Sequence, residues 1–113
     1  MKTLARAFPI TSKEALLALG RTIDEWSAED KSQFFARFGR GQEKWFYQEI
    51  DGRPHVISVV EAESLDEGFE AYGRGTDPFT KWFHEQVFKL TDVDMTRSPK
   101  GPPSELIYEL KGL

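Results

Sequence analysis

Cysteine is missing from the 113 residues, which excludes disulfides, thiolate metal sites and cysteine nucleophiles together. Histidine is nearly missing too. His55 and His84 are the whole supply, so a site built from several imidazoles within one subunit is excluded. No apolar run approaches the ~20 residues that a membrane helix requires. The opening stretch, Met1 to Pro9, carries Arg6 inside a short apolar segment and lacks the unbroken apolar core of a secretory signal. We therefore expect a soluble, unexported, cytoplasmic protein with no membrane partner. Positive charge is also in deficit: the net charge of -4 disfavours nucleic acid, which needs a basic face to displace counterions. The acidic residues are scattered over helix caps and exposed faces, so no carboxylate-rich metal site is expected.

Aromatic mass is abundant by contrast, with nine Phe, three Trp and three Tyr, enough for one core dominated by a few large side chains. The length suits a single domain over residues 1–113. Residues 3–8 form an extended candidate stopped by Pro9. Thr11 and Glu14 have capping-box spacing, and Leu16, Leu19, Ile23 and Trp26 then hold one helical face. Ser27 to Asp30 offers a second cap before Phe34, Phe35 and Phe38 resume the stripe, so this helix bends or restarts near Ser27. Lys44 to Ile50 and His55 to Ala62 read as two strands joined by an Asp51-Gly52 turn. Ser64 and Glu67 open another helix with Leu65, Phe69 and Tyr72 on one face. Asp77-Pro78 reads as an N-cap with Pro at the first helical position, followed by Phe79, Phe83, Val87 and Leu90. After a Ser-Pro-Lys-Gly-Pro-Pro loop at 98–103, Glu105 to Leu110 alternates as a last strand.

The order is β-α-β-β-α-β, which predicts an α+β, ferredoxin-like fold with a four-stranded antiparallel sheet and both helices on one face. The middle strands are apolar on both sides: Trp45 and Tyr47 alternate with Phe46 and Ile50, and Val56 and Val60 with Ile57 and Val59. A second buried face is implied, and a two-fold homodimer packed sheet on sheet supplies it better than a monomer with an exposed aromatic patch.

The element order, the stretch Asp77 to Val87 (Asp-Pro-Phe-Thr-Lys-Trp-Phe-His-Glu-Gln-Val), Thr91 to Asp94 and Gly101 to Leu106 together resemble an uncharacterised bacterial family of the dimeric α/β-barrel superfamily, over nearly the whole chain. That superfamily includes haem-degrading and cofactor-independent monooxygenases, muconolactone-type isomerases, chlorite dismutases and ligand-sensing domains. The resemblance implies the fold and the homodimer, while the chemistry has to be argued from the site.

Six residues are candidates for a ligand pocket. His84 lies on the helix where haem-degrading relatives place an axial imidazole, but it is displaced by one residue, about 100° around the helix, from the position that the motif requires. We therefore read it as a surface or cleft-edge histidine beside Glu85, and no cofactor is expected. His55 follows Pro54 near the hairpin, where a two-residue turn places Gln48 across the ladder and Glu61 on the same face, a trio able to position a proton. Arg6 is the lone charge in a central strand. It either holds an anionic ligand in the cleft, forms an internal ion pair with Glu61 or Glu109, or snorkels to the dimer edge. Tyr47, Tyr72 and Trp82, with Trp45, either line an aromatic cleft for a planar ligand or simply fill the core. Arg-Phe-Gly-Arg-Gly at 37–41 reads as a helix C-terminus that favours cations, and Gly73-Arg74-Gly75 lacks the flanking strand and Lys-Ser or Lys-Thr of a phosphate loop. No nucleophile with its base is legible. The expected function is a small homodimer that binds an organic ligand or serves a structural role; the alternative is a cofactor-independent monooxygenase or isomerase acting on a planar substrate.

Overall fold

The computed structural model describes residues 1–97 and 104–112. The loop expected at 98–103 lies outside them. Strand β1 (Lys2–Pro9) leads into helices α1 (Lys13–Glu25) and α2 (Ala28–Ala36), then strands β2 (Gly41–Ile50) and β3 (Arg53–Ala62), and helices α3 (Leu65–Arg74) and α4 (Pro78–Thr91). The sheet is antiparallel in the order β1-β3-β2, with the helices against one face. The fold is thus α+β, with a three-stranded sheet and four helices, and each expected helix is built in two pieces.

Local chemistry explains the breaks. Ser12, one residue later than the capping-box reading, caps α1 by accepting from the Ala15 amide, and Ser27 caps α2 by accepting from the Asp30 amide. Ser64 precedes α3 without a side-chain cap. Asp51 and Gly52 both have positive φ, the condition for the tight turn that fits the twist of a hairpin. Gly68 is explained by contact: a Cβ there would run into the Phe38 ring, so α3 has a glycine where the loop after α2 presses against it.

One expected element is corrected. Residues 104–112 form no strand, and Leu106, Ile107, Tyr108 and Leu110 are 73–82% exposed. The alternation is present, but a strand exists only through its ladder, and here no neighbouring strand supplies one. Both β1 and β2 keep a free edge among the described residues.

The pairing Arg6↔Ser58 and Trp45↔Ser58 fixes which side chains share a face. Leu4, Arg6, Phe8, Val56, Ser58, Val60, Glu43, Trp45 and Tyr47 project toward the helices. One core lobe gathers Phe38, Val60, Tyr72, Phe79 and Phe83, and the other Ile10, Leu16, Leu19, Val56 and Leu90. The opposite face carries Ala5, Ala7, Phe46, Ile57 and Val59, and Phe46 is 53% exposed. The two apolar faces read from alternation are therefore present, and among the described residues only the helical side is covered.

A polar clamp joins the helical layer. Arg37, at the end of α2, donates to Asp77 Oδ1 at 2.6 Å and to the Thr80 hydroxyl at 2.8 Å, while Asp77 caps α4 by accepting from the Thr80 amide at 3.0 Å. Arg40 similarly meets Glu63. The cations of the Arg-Phe-Gly-Arg-Gly stretch are thus engaged by carboxylates.

Candidate functional site

A partly open cleft lies between the sheet and the helices, with a free volume of about 90 Å³. By the scale at which a water needs roughly 10–15 Å³, this is room for several waters or, with small side-chain adjustments, a single-ring organic molecule. Its walls are mostly apolar: Leu4, Phe34, Trp45, Phe83 and Leu90 among them. Its floor carries the exceptions.

Register builds that floor. Arg6, Ser58 and Trp45 form one row across the three strands, and Glu43 lies two residues along β2 from Trp45 on the same face. Ser58 Oγ donates to Glu43 Oε1 at 3.0 Å and the Trp45 indole N–H donates to the same oxygen at 3.1 Å. Glu43 counts as exposed because β2 is an edge strand, yet its carboxylate reaches over the cleft floor. There burial pushes the carboxyl above the ordinary carboxylate range, outweighing the two hydrogen bonds that favour the ionised form.

Arg6 is at the other side of the row. Its guanidinium lies over the Phe8 ring at 4.9 Å and forms no ion pair among the described residues. Neither expected partner reaches it: Glu61 projects from the opposite sheet face, paired with Thr3, and Glu109 meets Lys111. Strand spacing separates the backbones of β1 and β2 by about 9–10 Å, with Ser58 between. A cation and a carboxyl with raised proton affinity therefore face one apolar space from opposite sides.

Of the other candidates, Tyr72 lines this cleft. Its ring is 4% exposed, and burial pushes its hydroxyl well above the usual phenol range, so it stays protonated. Of the surface and cleft-edge positions expected for His84, the surface one is excluded. His84 is 8% exposed with its ring 4.6 Å from that of Tyr72, and burial holds its pKa below the usual imidazole value. Its Nε2 finds no partner among the described residues, but Phe83, one position earlier, is the residue that faces the cleft. Tyr47 lies beneath the Lys13 ammonium and donates to Glu49, and Trp82 packs on Trp26 and Phe79 beside a shallow groove; both serve packing outside the cleft. His55 pairs with Gln48 as expected, but on the outer face near the hairpin, and Glu61 is six residues along, roughly 20 Å away.

Glu43 and Ser58 escaped the sequence reading. The signal was there in outline, because both fall on the inward parity of otherwise apolar strands, and a polar residue at such a position needs a partner or a task. Among the described residues no three His, Asp or Glu side chains converge to hold a metal ion, and no helix is long and apolar enough to cross a membrane.

The proton affinity of Glu43 is testable. A carboxyl raised in the folded state contributes stability below its unfolded pKa that is lost as pH rises through the folded value. Glu43→Gln keeps an oxygen to accept from Ser58 and Trp45 but cannot ionise. In urea titrations the variant should gain on the parent as pH rises above the ordinary carboxylate range of about 4; a difference that stays constant as pH rises would show that Glu43 is not perturbed.

Comparison of the chain with family models, with curated proteins and with solved structures found no match to any of them.

Proposed function

We propose that this protein is a homodimer of the dimeric α/β-barrel superfamily that binds a small organic acid in the cleft between sheet and helices. The observation that supports this most is Arg6: a guanidinium in an apolar cleft, with no carboxylate partner among the described residues, suits an anion with its fork. Glu43 gives the ligand its second requirement. Burial raises the proton affinity of this carboxyl, and in its protonated form it can donate to a neutral acceptor, such as a hydroxyl or carbonyl, at the far end of the molecule. A single ring with a carboxylate at one end and such a group opposite it matches both the apolar walls and the spacing of the two side chains.

A second reading draws on Glu43 alone. A carboxyl of raised pKa next to bound substrate is suited to proton transfer, so a cofactor-independent isomerase or monooxygenase acting on the same planar acid is the alternative. Binding comes first in both.

The test is an NMR titration with 4-hydroxybenzoate. Shifts should concentrate at Arg6, Ser58 and Glu43, and Arg6→Gln should weaken binding on the order of 10-fold or more, as expected for loss of a charge-assisted hydrogen bond. Saturation unaltered by Arg6→Gln, or no shift at millimolar ligand, would remove the anion site.

A further inference from the structure

We infer that residues 105–110 complete the sheet of a second copy, adding as a strand along its β1 edge and closing the open side of its cleft. This rests on the homodimer proposed above and names the segment that joins the copies.

The starting point is an imbalance. Leu106, Ile107, Tyr108 and Leu110 stand 73–82% exposed, a density of apolar surface that a lone chain leaves in water. Their spacing puts Leu106, Tyr108 and Leu110 on one side and Ile107 on the other, the pattern of a strand whose two faces both meet apolar surface. Six residues match the eight of β1.

Two free edges compete for the segment, and charge separates them. The β2 edge strand carries Glu43, Lys44 and Glu49, charges of the kind that discourage strand addition. Strand β1 has only Arg6 between Lys2 and Pro9, so its interior is open to a new ladder. The segment, with Glu105, Glu109 and Lys111, is net acidic, whereas β1, with Lys2 and Arg6, is basic. Attraction favours β1, and like charges disfavour a pairing that sets Glu105 and Glu109 beside Glu43 and Glu49.

The cleft gives the same answer. Its floor stops at β1, through Leu4, Arg6 and Phe8, while Thr91 at the end of α4 and Met95 beyond it also line the cleft. A strand beside β1 extends that floor, and Leu106, Tyr108 and Leu110 then project inward next to Arg6. The occupant is a second copy because residues 104–112 make no ladder with β1 of their own chain and stand exposed. One partner can receive the segment and cover Phe46, Ile57 and Val59 on the outer face together.

The absence of cysteine makes the test clean. Ala5 and Ile107 are exposed and belong to the outer side of the proposed ladder, so the double variant Ala5→Cys with Ile107→Cys, and Ala7→Cys with Ile107→Cys to allow for register, is oxidised and run on a non-reducing gel. The expected result is a disulfide band at twice the chain mass in at least one pair and in none of the single variants. A disulfide at monomer mass would assign the segment to its own edge and overturn the exchange. A dimer by sedimentation without any disulfide would overturn the exchange and leave the homodimer standing, and a monomer would overturn both.

Discussion

Phe83→Ala should unfold the protein at markedly lower urea, with a loss of about 3–5 kcal/mol, because truncating a buried ring removes its transfer free energy and leaves a cavity that its neighbours fill only in part. Phe83 is 7% exposed and stands where the helical layer meets the sheet. It stacks on Phe34 at 5.3 Å with ring planes 6° apart, and meets Trp45, Tyr72 and Phe79 edge-on. Those rings come from α2, β2, α3 and α4, so the residue ties every layer of one core lobe. Against a total stability of roughly 5–15 kcal/mol for a domain, such a loss is a large share. Phe88 on the same helix is 49% exposed, and Phe88→Ala should cost under about 1 kcal/mol. Equal effects of the two substitutions in chemical denaturation would show that the core is not centred on Phe83. The same truncation widens the cleft, so a Phe83→Ala protein that still folds should accept bulkier acids than 4-hydroxybenzoate.

Asp77→Ala is expected to cost about 2–3 kcal/mol, since one carboxylate performs two tasks. It caps α4 through the Thr80 amide and holds Arg37, whose side chain is only 18% exposed. The Asp77 side chain is 42% exposed, so screening keeps the Coulombic part small; most of the loss comes from the vacant cap and from a largely buried guanidinium left with Thr80 alone. Asp77→Asn keeps a good cap and should lose less than the alanine variant. The pH dependence has a definite sign. Burial alone would raise the Asp77 carboxyl, but hydrogen bonds from Thr80 and Arg37 outweigh it and hold the pKa below the usual range. A depressed folded pKa gives stability that is present above the unfolded carboxylate value and lost as pH falls through the folded one. The gap between parent and Asp77→Ala should therefore narrow in acid; a gap that widens below about pH 4 would contradict the clamp.

Much of this architecture was legible residue by residue. Asp51-Gly52 named its own turn because positive φ at two successive positions selects few residues, and Asp77-Pro78 named a helix start because Pro lacks the amide that a first turn leaves unpaired. The break at Ser27 was visible as a second cap. Strand alternation sorted Trp45 and Tyr47 from Phe46, and Val56 and Val60 from Ile57 and Val59, onto the correct faces. The reading failed where a residue's partner is distant in sequence. Arg37 read as a cation at a helix end, but its carboxylate lies 40 positions on; His84 read as a surface or cleft-edge residue, but it is buried with its ring against Tyr72 of α3.

The amino-acid sequence by itself determined the helices, the first strand and the hairpin, where they turn, and that both sides of the hairpin are apolar, because these properties depend on neighbours within a few positions. The tertiary structure alone decided that Arg6 joins the row of Ser58 and Trp45, that Glu43 bends into an apolar cleft opposite a guanidinium with no ion pair among the described residues, and that residues 104–112 stand outside the sheet of their own chain. Register between β1 and β3, whose partners lie 46 to 60 positions apart, is a joint property of the whole ladder and the layer packed on it, and no local pattern encodes it.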